Sequence, residues 1–226
     1  FANVKLVHAL LKDEFKDKKN FYPDTTGASY ISTNLKSYLS LIRMRNQENQ
    51  NQDKSSEKYQ KYEIRLKDLV KMSRGITLDI GADNYDDMLE MLPRGVKYIG
   101  ITPDDIRDLE YSHESILTGI GEFLPFKDEL IDTVMFNTSL DHILDANLAI
   151  SEANRVLKTN GRLLISTLVW IQNLELWRDD VHFHHFRPSE IEGLLENFKI
   201  EYLATYDYNN EKHRYGAFIS ARKVSI

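Results

Sequence analysis

After Gly75 the chain changes texture, and that change limits its fold more than any other feature. Short apolar runs alternate with helical segments from Ile76 to the end. Ile76 to Ile80 reads as a strand ending at Gly81, and Tyr85 to Leu92 as a short helix stopped by Pro93 and Gly95. Val96 to Ile101, Ser115 to Thr118, Ile131 to Phe136 and Arg162 to Thr167 read as further strands. A helix over Asp145 to Leu157, capped by Asp145, precedes the last of these. Pro188 opens another helix, with Ile191, Leu194, Leu195 and Phe198 forming its apolar stripe. Ile200 to Tyr206 and Tyr215 to Arg222 close the chain as a hairpin turned by Asn209 and Asn210. Such alternation predicts an α/β fold of three layers, a mainly parallel sheet with helices on both faces and a closing antiparallel hairpin. Ligands in such sheets sit beyond the carboxyl ends of the central strands.

The first third reads differently. Val4, Val7, Leu11 and Phe15 recur at helical spacing, as do Leu35, Tyr38, Leu39 and Ile42, and then Tyr59, Tyr62, Leu66, Leu69 and Val70. Residues 46–57 hold no apolar side chain and are expected to form a mobile loop. The chain therefore divides into an N-terminal helical cap, residues 1–72, and an α/β domain, residues 73–226. Tyr30, Tyr38, Tyr59 and Tyr62 fit the core of that cap.

Charge follows the same division. Residues 1–75 carry 15 basic and 9 acidic side chains, whereas the remainder carry 14 and 26. A basic third can steer an anionic or nucleic-acid partner, but lysines beside acids are routine on solvated helix faces. Nucleic acid is accordingly not the expected partner. Cysteine is absent, which removes disulfides, thiolate zinc sites and cysteine nucleophiles and fits a reducing cytoplasm. No apolar run approaches membrane-spanning length and nothing near Phe1 reads as a signal peptide, so no membrane is expected.

The chemistry gathers after the strands. Leu78-Asp79-Ile80-Gly81-Ala82-Asp83-Asn84-Tyr85 joins a strand to a helix through a glycine turn, where backbone approaches a ligand closely and a helix start offers N–H groups to a carboxylate. With Asp79 near an ammonium, the turn suits an amino-acid zwitterion. Asp83 in the same loop would repel a dinucleotide pyrophosphate but not a cationic sulfonium. Gly121-Glu122-Phe123-Leu124-Pro125-Phe126, Asp132, Leu140-Asp141-His142-Ile143, Glu152 to Lys158 and Gly161 to Ile165 follow in order.

In that order and spacing, residues 76–225 resemble the class I S-adenosylmethionine-dependent methyltransferases, particularly the small-molecule and sugar-modifying branch. The resemblance implies a Rossmann-like methyltransferase fold, S-adenosylmethionine as cofactor, and a cofactor site at Asp79, Gly81, Asp83, Thr102, Ile120, Gly121 and Asn137. The cofactor motifs are degenerate. Two further glycines of the family loop are replaced by Asp83 and Tyr85, the ribose-binding acid by Thr102, and the adenine-side acid by Ile120. Each lost polar partner costs about 1–3 kcal/mol. Asp104 and Asp105 stand next in line for the ribose.

Methyl transfer is an in-line displacement that needs alignment above all, and a base only for a hydroxyl acceptor. His142, His182 and His185 stand at the expected substrate rim, with His184 beside them, and imidazoles titrate in the useful range. The resemblance implies His182 as the first choice for a base, since Asp180-Val181-His182 occupies the place of the family's Asp-x-His pattern, while His184 and His185 could merely anchor the loop. Trp170 and Trp177 flank that loop as an apolar wall or as packing. The histidines lack the carboxylate-backed spacing of a metal centre, and although Asp179 and Asp180 lie near, no metal is assigned. The expected function is methyl transfer to oxygen or nitrogen of a small-molecule or sugar acceptor. Two other readings stand beside it, a non-catalytic scaffold that lost the cofactor site and a nucleic-acid methyltransferase.

Overall fold

β1 (Ile76–Ile80) is bracketed by parallel neighbours on both edges, Leu78 lying opposite Ile99 on β2 (Lys97–Thr102) and Val134 on β4 (Ile131–Asn137). This continuous apolar burial is what a parallel strand covered on both faces requires. The computed structural model describes residues 57–82, 85–103, 115–171, 182–209 and 213–224. The helices expected around residues 4–15 and 35–42 lie outside them, as does the loop expected at 46–57 except for Glu57.

The remaining strands are β3 (Ile116–Thr118), β5 (Leu157–Trp170), β6 (Phe198–Asn209) and β7 (Arg214–Lys223). They form one seven-stranded sheet in the order β3-β2-β1-β4-β5-β7-β6. The first five strands run parallel, and β7 inserts antiparallel to both β5 and β6. The parallel sheet and closing hairpin expected from the sequence are both present.

Helices α1 (Glu57–Val70) and α2 (Tyr85–Met91) cover one face, where Leu66, Leu69, Val70 and Met88 pack with Met135, Leu164 and Phe218. α3 (Ala146–Val156) and α4 (Pro188–Leu194) cover the other. α3 begins where expected, the Asp145 carboxylate accepting the Leu148 amide at 3.0 Å. Its buried stripe of Ala146, Ala149, Ile150, Ala153 and Val156 rests against Leu78, Phe136 and Ile165.

Two boundaries differ from the sequence reading. β5 begins at Leu157 rather than Arg162, because Leu157 pairs with Ile131 before a register shift brings Arg162 opposite Thr133. Phe198 opens β6 instead of extending the helical stripe. Its amide bonds to the Leu195 carbonyl at 2.9 Å in the turn, while its ring stays in the same buried cluster as Ile191 and Leu195. An apolar stripe carried across a tight turn has the spacing of a longer helix.

Candidate functional site

The carboxyl ends of β1, β2 and β4 collect most of the residues expected to hold a cofactor. Gly81 leaves β1 at φ 86°, a left-handed conformation, and the amides of Gly81 and Ala82 donate to the Ile101 carbonyl at 2.8 and 3.0 Å. Ser139 closes over this turn, its hydroxyl donating to the Ile80 carbonyl. Thr102 ends β2 and is buried, and Ile120 is buried after β3. Gly121 follows, and a side chain there would press to 2.8 Å from Ile80 Cγ2, so its glycine also serves packing. Asn137 ends β4, its side-chain oxygen accepting from Ser166 Oγ at 2.9 Å and from the Tyr62 hydroxyl of α1 at 3.4 Å. Asp79 sits within β1, 3% exposed, where its Oδ2 accepts the Tyr98 hydroxyl at 2.7 Å. Asp83, Asp104, Asp105, Trp177, Asp179 and Asp180 lie outside the described residues.

The residue after Asn137 is strained. Thr138 takes φ 50°, costly for a β-branched side chain, and its amide is held by the Ser166 carbonyl at 2.9 Å and Ser166 Oγ at 3.1 Å. This kink turns the chain into the 3₁₀ turn Leu140–His142.

The histidines converge there. The rings of His142 and His182 lie 4.8 Å apart, and that of His185 lies 6.1 Å from His182 and 4.7 Å from Trp170. Trp170 is fully buried, with the Arg214 guanidinium 5.5 Å from its ring, so it packs beneath the cluster. His184 turns away and stacks on Phe186, ring centroids 5.1 Å apart. The loop bearing these residues is pinned to the 3₁₀ turn by the amides of Phe183 and His184, which donate to the Asp141 carbonyl at 2.9 and 3.1 Å. The Asp141 carboxylate lies 3.8 Å from His182 Nε2, and Asp141, His142 and His182 each offer a donor atom within 4.8 Å of the others.

Asp141, Ser139 and Tyr62 are the site residues that sequence reasoning missed. Adjacency to His142 was the only local signal for Asp141. Ser139 and Tyr62 act through folding partners distant in sequence, the Gly81 turn and Asn137.

Beneath the site, Glu122 is fully buried under the start of α3, its Oε1 accepting the amides of Leu144 and Asp145 at 3.1 and 3.2 Å. Burial pushes its pKa up to about 7, against the opposing pull of its own amide and those two. Arg155 clasps the same segment, donating to the carbonyls of Phe126 and Leu124 at 2.8 and 3.1 Å. Glu152 completes the clasp by accepting the Leu124 amide at 2.9 Å.

Comparison with known proteins assigns this architecture. Residues 78–165 match the family model described as "Methyltransferase domain". The uncharacterized protein YafE of Escherichia coli is 33% identical over 81 residues, covering 32% of this chain and 39% of that protein. The chain spans between 38% and 48% of the length of the curated relatives it matches. Among solved structures, geranyl diphosphate C-methyltransferase from Streptomyces coelicolor, in complex with Mg2+, geranyl diphosphate and S-adenosyl-L-homocysteine, superposes with a TM-score of 0.59 at 14% identity. That match covers 76% of this chain and 84% of the enzyme. The [4+2]-cyclase SpnF superposes with a TM-score of 0.58 at 19% identity, covering 78% and 86%. With the glycine turn, the strand order and the family match all falling on the same strands, residues 78–165 are similar to a methyltransferase domain, and the described residues adopt the fold of the methyltransferases they superpose on.

Proposed function

We propose that the chain transfers the methyl group of S-adenosylmethionine to an oxygen or nitrogen of a small-molecule or sugar acceptor. The observation that carries this reading is the histidine cluster at the ends of β4 and β5, beside the glycine turn of β1. Cofactor and acceptor would then lie side by side on one sheet edge.

The residues present fit the cofactor in part. Gly81 and Gly121 allow backbone contact without a side chain, Thr102 supplies one hydroxyl, and Ile120 offers an apolar surface to a base. No carboxylate stands at the last two positions. When bound, S-adenosylmethionine supplies an electrophilic methyl on a sulfonium, the C–S electron pair returning to sulfur as the acceptor's lone pair forms the new bond. The chain's own part is to align that lone pair and take the acceptor proton, the work assigned to His182 with His142 and His185 around it.

A second reading has its own support. Thr102 and Ile120 weaken cofactor recognition, and a protein named as a cyclase shares the fold. Calorimetry with S-adenosylmethionine and S-adenosylhomocysteine separates the two. Micromolar binding of both supports the methyltransferase, and no heat at millimolar ligand sinks it in favour of the cofactor-less reading. The nucleic-acid alternative draws on residues 1–75, most of which lie outside the described residues, and binding to RNA or DNA that weakens steeply with salt would revive it. Among the described residues, no helix is long and apolar enough to cross a membrane.

A further inference from the structure

We infer that Asp141, His142 and His182 form a binding site for a divalent first-row transition-metal ion, with coordination positions left open for an oxygen ligand.

The carboxylate makes the case. Asp141 is 2% exposed, and its Oδ1 has no hydrogen-bond partner among the described residues. Its Oδ2 lies 3.8 Å from His182 Nε2, beyond hydrogen-bond reach. Burying a carboxylate with one oxygen unpaired among the described residues is costly, and the Asp–His contact does not satisfy that oxygen. A cation between the three side chains would satisfy it.

The placement is built rather than incidental. Asp141 and His142 are successive residues of the 3₁₀ turn after β4, and the turn is set by the Thr138 kink. His182 is brought over them by two amides donating to the Asp141 carbonyl. Donor atoms on one zinc-like ion stand about 3.3 Å apart at the usual bond lengths of about 2 Å. The present separations, up to 4.8 Å, close to that range by small side-chain rotations. Two imidazoles and one carboxylate favour zinc, manganese, iron or cobalt over magnesium and calcium, which prefer all-oxygen shells. The described residues supply three donors, the number that zinc sites with an open position use. On the methyl-transfer reading above, on which this step alone rests, the oxygen ligand is an acceptor hydroxyl, made more acidic by the ion and giving its proton to solvent water rather than to the ligating His182.

The test titrates Co2+ and Zn2+ into chelator-treated protein, without cofactor or acceptor, so that its result is independent of the methyltransferase reading. Visible cobalt absorption bands saturating at one equivalent, displaced by Zn2+, are expected. His182→Ala and Asp141→Asn should each weaken binding by about tenfold or more, whereas His184→Ala should leave it unchanged. Asp141→Asn is buried and can fail to fold, so the wild-type titration and His182→Ala decide alone. Absence of bands and heat at submillimolar metal overturns the site, as does binding that survives His182→Ala.

Discussion

A side chain at Gly81 would collide with Ser139: a Cβ placed on the glycine would overlap Ser139 Cβ. The ends of β1 and β4 are thus closed on each other, with the Ser139 hydroxyl bonded to the Ile80 carbonyl across the gap. Two independent demands, the left-handed φ and the contact, require glycine here.

Gly81→Ala should therefore destabilise the fold by about 2–5 kcal/mol, combining roughly 1–2 for the backbone conformation with roughly 1–3 for overpacking. Adding Ser139→Gly should restore the packing share but not the backbone share. Urea denaturation of both single variants and the double variant measures the coupling. Strict additivity would show that the two residues do not meet.

Glu122 should make stability depend on pH in an unusual direction. Its pKa is about 7 in the folded chain against an ordinary 4.5, so the folded state holds the proton more tightly between those values. The stabilisation is complete below pH 4.5, declines as pH rises, and levels off above pH 7, a span of about 3 kcal/mol. Glu122→Gln should flatten this decline while keeping an acceptor for the amides of Leu144 and Asp145. Chemical denaturation at several pH values gives the slope, and an equal slope in both proteins would refute the assignment.

Arg155 should matter through its planar fork rather than its charge. It reaches two carbonyls of the segment that carries Gly121 and Glu122, as well as Glu152 at 2.7 Å. Arg155→Lys keeps the charge but cannot span these acceptors, and should cost about 1–2 kcal/mol in this partly exposed setting. Hydrogen exchange should show faster exchange at the Leu124 amide, which Glu152 holds. Unaltered protection there would mean that Glu152 works without the arginine.

What could be read in the chain follows the range of the interactions. The Asp145 cap, the α3 stripe and the turn at Gly81 are local, so spacing and residue type reveal them. β5's early start is not local, since it depends on Leu157 finding Ile131 in the sheet. Phe198 misleads for the same reason, as burial continues through a turn that helical periodicity does not register. At the site, three histidines are visible as a cluster, but the carboxylate beside them is Asp141, some forty residues before His182. The pinning of the loop to the Asp141 carbonyl brings them together. The absence of acids at Thr102 and Ile120 was legible, whereas the engagement of Asp79 by Tyr98 required the register of β1 against β2.

The division of the sheet edge into two halves has its own consequence. On the proposed methyl-transfer reading, cofactor contacts would fall to the β1 and β2 ends at Gly81 and Thr102, and acceptor contacts to the β4 and β5 ends at His142 and His182. His182→Ala should then lower turnover by about a hundredfold, whether the imidazole takes the proton itself or holds the ion that loosens it. Its affinity for S-adenosylhomocysteine should stay within about twofold of wild type, since its ring lies against His142 and Trp170 on the other half of the edge. Steady-state kinetics with an accepted substrate, paired with calorimetry of the product cofactor, reads both quantities on one preparation. An unchanged turnover would return His182 to a packing role against Trp170. A collapse of cofactor affinity with little change in turnover would instead assign the histidine half of the edge to the cofactor.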